Sequence, residues 1–391
     1  MRILYICGDQ GIPVFGRKGA STHIREMIAE FRRQGHEVAL AVPDLSGDRR
    51  PEEDFPVHKL AAPKSKLLGS DGRYLLANFK AGGALARIAT DFRPTAIYER
   101  SALYFTAGEK LARRLGLPRI LEVNTLLAHE LKNRLHFPGL AAKVELGLVR
   151  RAPAIASISI TMKKRLVAAG CRADAVRPFG MAVDPRRFVP PADPAARRSE
   201  LGWPSDAPVI GYVGSMNTYH RPDRFLALAE KLLEEGHSSA RFLVVGGSES
   251  KVAAARERLG RWVGEQRVHF TGSVPQAEMA GWLCAMDMIV VPGAAPQSTP
   301  TKIFEAAALG RPMILPATEP IIELCGADSP LLFAPDDEAA LEGLVRRFLA
   351  EPAFAQAPAG RLRETVLAEH TWEHHARELA AWLETMRRTK A

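Results

Sequence analysis

Short β-rich runs that end in small or polar residues, each followed by a segment with helical spacing, recur along this chain. That alternation restricts it to a parallel, doubly wound architecture. The first run, "RILYICG" (2–8), leads through the Gly-rich "GDQGIPVFGRKGAS" into "ASTHIREMIAEFRRQG", where Ile24, Met27, Ile28 and Phe31 share one helical face. Ser21 or Thr22 reads as the N-cap of that helix and Gly35 as its stop. "HEVALAVP" is the second strand, and "TAIYER" (95–100), "PRILEVN" (118–124) and "AIASIS" (154–159) continue the series. One Rossmann-like domain is therefore complete by about residue 180.

The next stretch, "VDPRRFVPPADPAARRSELGWPSDAP", holds Pro185, Pro190, Pro191, Pro194, Pro204 and Pro208, which forbid a long regular element, so it reads as a linker. A second series follows: "VIGYVGS" (209–215), a helix over 224–235, "RFLVVGG" (241–247), a helix over 250–263, "RVHFTGS" (267–273), a helix to Cys284, "MIVVPG" (288–293), a helix carrying Glu305, and "PMILP" (312–316). The 391 residues suit two domains of ordinary size. The spacing predicts domains at 1–185 and 186–370, with the C-terminal segment 371–391 completing the first. Ligands of open α/β sheets meet the carboxyl ends of the strands, so both sets of loops are expected to face a central cleft.

With 47% hydrophobic and 25% charged residues the chain can bury a core, which sets disorder aside. Cys7, Cys171, Cys284 and Cys325 lie far apart, with no C-x-x-C pair or Cys/His cluster for zinc, and read as buried thiols in a reducing cytoplasm. "MRILYICGDQ" is a first strand and not a signal peptide, and no apolar run approaches the ~20 residues that span a bilayer, so membrane contact is expected to be peripheral only. The net charge of +9 is uneven: residues 1–185 hold 30 Lys/Arg against 18 Asp/Glu, the remainder 23 against 26. A basic first half suits an anionic or membrane-associated partner, or is simply a well-solvated surface.

Three loops carry candidate chemistry. "GYVGSMNTYHRPD" opens a helix after a strand and combines Gly214 and Ser215 with His220 and Arg221, a set suited to phosphate or to an ordinary strand-to-helix turn. "FGRKGAS" offers Gly16 and Gly19 for close backbone approach and Arg17 and Lys18 for charge; its alternative is a plain surface loop. "GAAPQSTPTKIFEAAALGRP" starts a helix near Thr301, so that backbone N–H groups and Lys302 favour an anion, and Glu305 one turn later can accept from ribose hydroxyls. Otherwise Glu305 serves only the helix N-terminus.

Taken with "GMAVDPRRFVP", "VHFTGSVPQAEM" and the terminal "TWEHHARELAAWL", in this order and spacing, the chain resembles a family-4 retaining glycosyltransferase of the GT-B fold over nearly its whole length. The resemblance implies hexosyltransferase-like activity with no cofactor or metal. It implies a nucleoside-diphosphate sugar, UDP- or GDP-linked, as co-substrate in the C-terminal domain and an acceptor in the N-terminal one. The donor-binding set it implies is Gly19, Gly214, Ser215, His220, Arg221, Gly272, Ser298, Thr299, Pro300, Thr301, Lys302 and Glu305, with base recognition near "FTGSV" resting on backbone. The family's E-x7-E motif falls on Gln297 and Glu305, so the first acid is an amide here, unable to place negative charge near a developing oxocarbenium ion. Catalytic candidates are Glu305, Gln297, Lys302 and Asn124, the last at a strand end where relatives often place a histidine. Asn124 as a structural cap is the other reading. Acceptor candidates are Arg17, Lys18, Glu99, Arg100 and Asn124, with an internal salt bridge as the alternative for Glu99 and Arg100. "PFG" at 178–180 replaces the family's usual turn and is expected to affect packing only.

The alternatives are a nucleotide-sugar epimerase of the same fold, which Gln297 does not favour, and a non-catalytic nucleotide-sugar-binding protein. No aromatic-interleaved basic run supports nucleic acid as a partner, and neither Gly-rich loop reads G-x-G-x-x-G with a later acid, as a dinucleotide dehydrogenase requires. No Asp-x-Asp is present to hold a metal-bound diphosphate. Base, sugar, acceptor and oligomeric state are not specified by these residues.

Overall fold

The computed structural model describes residues 1–16, 18–63, 69–237 and 239–389. The chain divides into two compact units, Met1–Gly180 with Trp372–Ala391, and Met181–Thr371, against the expected limits of 185 and 370. The division is earlier because Val183 bridges Thr371 and donates its N–H to the His370 carbonyl at 3.0 Å, which ties it to the second unit.

In the first unit, strands β1 (Arg2–Cys7), β2 (Glu37–Val42), β3 (Val57–Lys59), β4 (Ala96–Arg100), β5 (Arg119–Val123), β6 (Ile155–Ser157) and β7 (Val176–Pro178) form one parallel sheet in the order β3-β2-β1-β4-β5-β6-β7. Ile3 to Cys7 are all fully buried, the continuous apolar run expected of a strand covered on both faces. Helix α1 (Gly19–Arg33) starts earlier than Ser21 or Thr22: Lys18 stands at its N-cap with no side-chain cap, and Ser21 Oγ instead donates to the Pro13 carbonyl at 2.7 Å, anchoring the preceding loop. Gly35 ends the helix as expected, with φ of +81°, its N–H to the Arg32 carbonyl and that of His36 to Phe31. Helix α2 (Gly69–Phe92) and helix α3 (Ala107–Leu115) follow β3 and β4.

In the second unit, β8 (Val209–Val213), β9 (Arg241–Val245), β10 (Val268–Gly272), β11 (Met288–Val290), β12 (Met313–Pro316) and β13 (Leu332–Phe333) repeat the topology as β10-β9-β8-β11-β12-β13, again all parallel. The expected helix over 250–263 is two helices, Glu249–Arg258 and Gly260–Gly264, because Gly260 is a weak helix former at the junction. The Pro-rich linker packs onto this unit through Phe188 and Trp203, whose Nε1 donates to the Gln266 carbonyl at 2.7 Å. Each sheet reverses strand order once, between β1 and β4 and between β8 and β11, and each reversal opens a crevice at the carboxyl ends.

The terminal helix Trp372–Arg388 belongs to the first unit and lies against α1. Its apolar residues recur on one face, where Leu379 and Leu383 are buried, and Trp372 meets the His23 ring at 4.9 Å. Phe179 of the "PFG" turn stacks on Trp382, a packing role. All four cysteines are free thiols; Cys325 is only half-buried, the other three buried. Among the described residues no helix is long and apolar enough to cross a membrane.

Truncating Leu383 to alanine removes three carbons from a site with no exposure and is expected to destabilise the first unit by about 2–5 kcal/mol, read as a lower urea midpoint. The exposed neighbour change Glu378→Ala is expected to stay within about 0.5 kcal/mol.

Candidate functional site

The site in the second unit is built where β8 and β11 part. Beyond β8 the chain runs through Gly214, Ser215 and a tight turn at 218–220 into the helix Pro222–Glu234. Met216 and Arg221 hold left-handed φ of 54° and 45°, and non-glycine residues adopt that conformation only where the surroundings enforce it. The Met216 carbonyl is held by Lys251 Nζ at 2.7 Å. Beyond β11, Gly293 fits so closely that a Cβ there would lie 2.7 Å from Arg221 Cγ and 2.8 Å from the Tyr219 carbonyl oxygen. The two loops are thus packed against each other.

The helix Thr301–Ala308 rises from the second loop with Pro300 at its N-cap, no side-chain cap and no acidic residue in its first turn. Its Lys302 reaches back so far that a Cβ on Gly214 would overlap Nζ, and the ammonium stands 6.0 Å from the Tyr212 ring centroid. Burial lowers Lys302 to about 8, with Glu305 acting in the opposite direction. His220 lies close enough to Lys302 to feel its charge. Burial and then the Lys302 charge lower it to about 4, the Gly293 backbone opposing, so it is a neutral hydrogen-bonding ring at neutral pH and not a second cation.

Arg221 differs from the expectation of a phosphate ligand in that its guanidinium is engaged: it pairs with Asp223 at 3.1 Å and Asp336 at 3.4 Å. Gly272 joins the constellation through its neighbours. Its carbonyl accepts the Gly246 N–H at 2.8 Å, and Gly246, with φ of +106°, is pressed against the Gly214 carbonyl. Gly214, Gly246 and Gly272 thus line the ends of three adjacent strands with backbone alone. Sequence reasoning assigned no role to Gly246 or Gly293, although the first directly follows β9 and the second lies three residues beyond β11. Ser298 continues the turn by donating its N–H to Ala295, Thr299 is buried, and Gln297 and Glu305 are half-buried.

The first unit treats its strand-end charges differently. Adjacent residues of a strand face opposite sides of the sheet, so Glu99 and Arg100 cannot serve one ligand. Glu99 is fully buried, pairs with Arg119 at 2.5 Å and occupies the space that a Cβ on Gly108 of α3 would need. It is an internal ion pair and not an acceptor contact. Arg100 pairs with Glu122, which also receives the Tyr5 hydroxyl at 3.2 Å, lies 3.4 Å from His23 Nε2 and accepts from the Asn124 amide. Burial raises the Glu122 carboxyl, but His23, Arg100, Asn124 and Tyr98 outweigh it and bring it to about 2. The Arg100 guanidinium is therefore committed to a carboxylate inside the unit. Asn124 is no helix cap, because Glu145 takes the N–H groups of Leu127 and Ala128 at 2.8 and 3.1 Å. Lys18 donates to the Gly11 carbonyl at 2.9 Å, Gly19 opens α1, and Arg17 lies outside the described residues.

Two family models match the chain, "Glycosyl transferase 4-like domain" over residues 18–181 and "Glycosyl transferases group 1" over 207–351, one in each unit. A D-inositol 3-phosphate glycosyltransferase of Xylanimonas cellulosilytica is 25% identical over 76% of this chain and 75% of its own length. A GDP-mannose-dependent alpha-mannosyltransferase of Mycolicibacterium smegmatis is 24% identical over 76% of each. Among solved structures, Anabaena HepE in complex with UDP superposes with a TM-score of 0.77 at 17% identity, over 98% of this chain and 100% of that one. With both domain models in sequence and both parallel sheets in place, the chain belongs to the family-4 glycosyltransferases and has their GT-B fold.

Proposed function

We propose that this glycosyltransferase takes its sugar from a nucleoside diphosphate, UDP or GDP, held in the second unit, and transfers it to an acceptor hydroxyl with retention and without a metal. The observation that carries this is the Lys302 ammonium set beside Gly214, on a helix whose N-terminus has no side-chain cap. A partly desolvated ammonium on a helix start without a side-chain cap favours an anion, and a diphosphate leaving group supplies two. The similarity to a protein named as GDP-mannose-dependent and to one solved with UDP supports the same donor class.

In this reading Lys302 and the N–H groups of residues 301 and 302 meet the charge that grows as the bond from the anomeric carbon to the phosphate oxygen breaks. Neutral His220 donates a hydrogen bond, Glu305 accepts from ribose hydroxyls, and glycines 214, 246 and 272 let the nucleotide approach backbone. The new bond forms on the face that the phosphate leaves, and the departing phosphate oxygen takes the acceptor's proton. The protein supplies position and field. Gln297 stands where the family has an acid, so it orients a sugar hydroxyl without adding charge.

Calorimetry with UDP-, GDP-, ADP- and TDP-sugars in EDTA is expected to select one nucleotide. Glu305→Ala and Lys302→Ala should each weaken it by about 10- to 100-fold, the ~1.5–3 kcal/mol of a charged hydrogen bond, while melting temperature holds. Undiminished affinity in both variants would place the donor elsewhere.

The pH profile is a second test. A bound anion favours protonated Lys302, so affinity should be full below about 8 and fall as pH rises through it, and Lys302→Arg should remove that fall.

A further inference from the structure

We propose that a groove in the first unit, between α2 and the carboxyl ends of β2 and β3, binds an elongated polyanionic acceptor. The groove encloses about 1150 Å³. Its walls carry Lys59 from the end of β3 and Arg73, Lys80 and Arg87 from α2; the one carboxylate on them, Asp44, accepts the Ser46 N–H at 2.9 Å. Among the described residues none of the four cations takes part in an ion pair, whereas basic residues elsewhere in the unit commonly do, as Arg2 does with Glu37 and Arg151 with Glu109. Four like charges facing one concavity repel each other and create a positive potential that a multivalent anion relieves.

The three cations of α2 are seven residues apart, which at 1.5 Å per residue puts them about 10 Å apart on one face, over about 21 Å in all. That spacing fits a chain with anionic groups at intervals better than a single small ion. An independent observation concerns Gly82 and Gly83 in the interior of α2. A Cβ at either would meet nothing within 4 Å, so packing does not require a glycine there, yet glycine weakens a helix relative to alanine. Gly83 lines the groove, and its missing side chain leaves the helix backbone open to a ligand lying along it. The shared chemistry is phosphate or carboxylate repeated along a glycan. This assignment rests on the reading of the first unit as the acceptor-binding half.

Calorimetry at low salt would use a galacturonate hexamer, sodium tripolyphosphate and neutral maltohexaose. At least one anion is expected to bind at least about ten-fold tighter than maltohexaose; which one does assigns carboxylate or phosphate. Lys80→Glu should weaken that binding by about ten-fold or more, and Gly83→Leu should do so without lowering the melting temperature. Arg114→Glu, an equal charge change at an exposed position of α3, should leave it intact. Nucleotide-sugar binding, measured on the same samples, should be unchanged, so that loss of the groove is distinguished from an error in the donor assignment. The proposal is overturned if Arg114→Glu weakens the anion as much as Lys80→Glu, if Gly83→Leu has no effect, or if neither anion binds more tightly than maltohexaose while phosphatidylglycerol vesicles, added as a fourth probe, do bind.

Discussion

An ammonium group drawn partly out of water is costly unless something negative stands beside it, and the second unit keeps the half-buried Lys302 in that condition. Burial depresses it to about 8 and Glu305 only partly offsets that. The geometry around it follows from the same requirement. Gly214 must lack a side chain for Nζ to sit there, Gly293 must lack one for the β8 and β11 loops to close on each other, and Met216 and Arg221 accept left-handed backbone to make the turn. These local costs converge on one spot, where the strand order of that sheet reverses between β8 and β11.

The first unit has the same sheet topology but neutralises its strand-end charges internally. Glu99 pairs with Arg119 through a single contact, and Glu122 gathers Arg100, His23 and Asn124 around one buried carboxylate. Removing one partner of such a pair leaves a buried charge uncompensated, so these groups hold the strands and loops in register. Asn124 illustrates the difference. It stands at a strand end where a catalytic contact is expected, yet its amide nitrogen is already directed to Glu122.

Much of this was legible in the sequence, for identifiable reasons. Strands buried on both faces are nearly continuous apolar runs, so β1, β2, β8 and β9 announce themselves, and a glycine beyond a strand marks a loop end. The edge strands β3, β7 and β13 span only two or three residues and are too short to carry a period. Lys302 and Glu305 stood out because a charge at a helix start has local meaning. The partner of Glu99 is twenty residues away and the pairing of Arg221 with Asp336 spans more than a hundred, so no spacing rule could reveal that both charges are engaged. The neutrality of His220 is likewise a product of burial, which residue type does not encode.

The two units therefore suit different electrostatic tasks. A single half-buried lysine acts over a short distance, where surrounding protein limits screening, and can respond to charge appearing on one oxygen. The cations of the α2 groove are half-buried or exposed and spread along a helix, so water and salt weaken each of them. What such an array gains is length: it attracts an extended anion from a distance and sets its direction without a large affinity at any one contact. On the proposed reading that division suits the transfer, with charge met at one leaving oxygen while an extended acceptor lies along the groove.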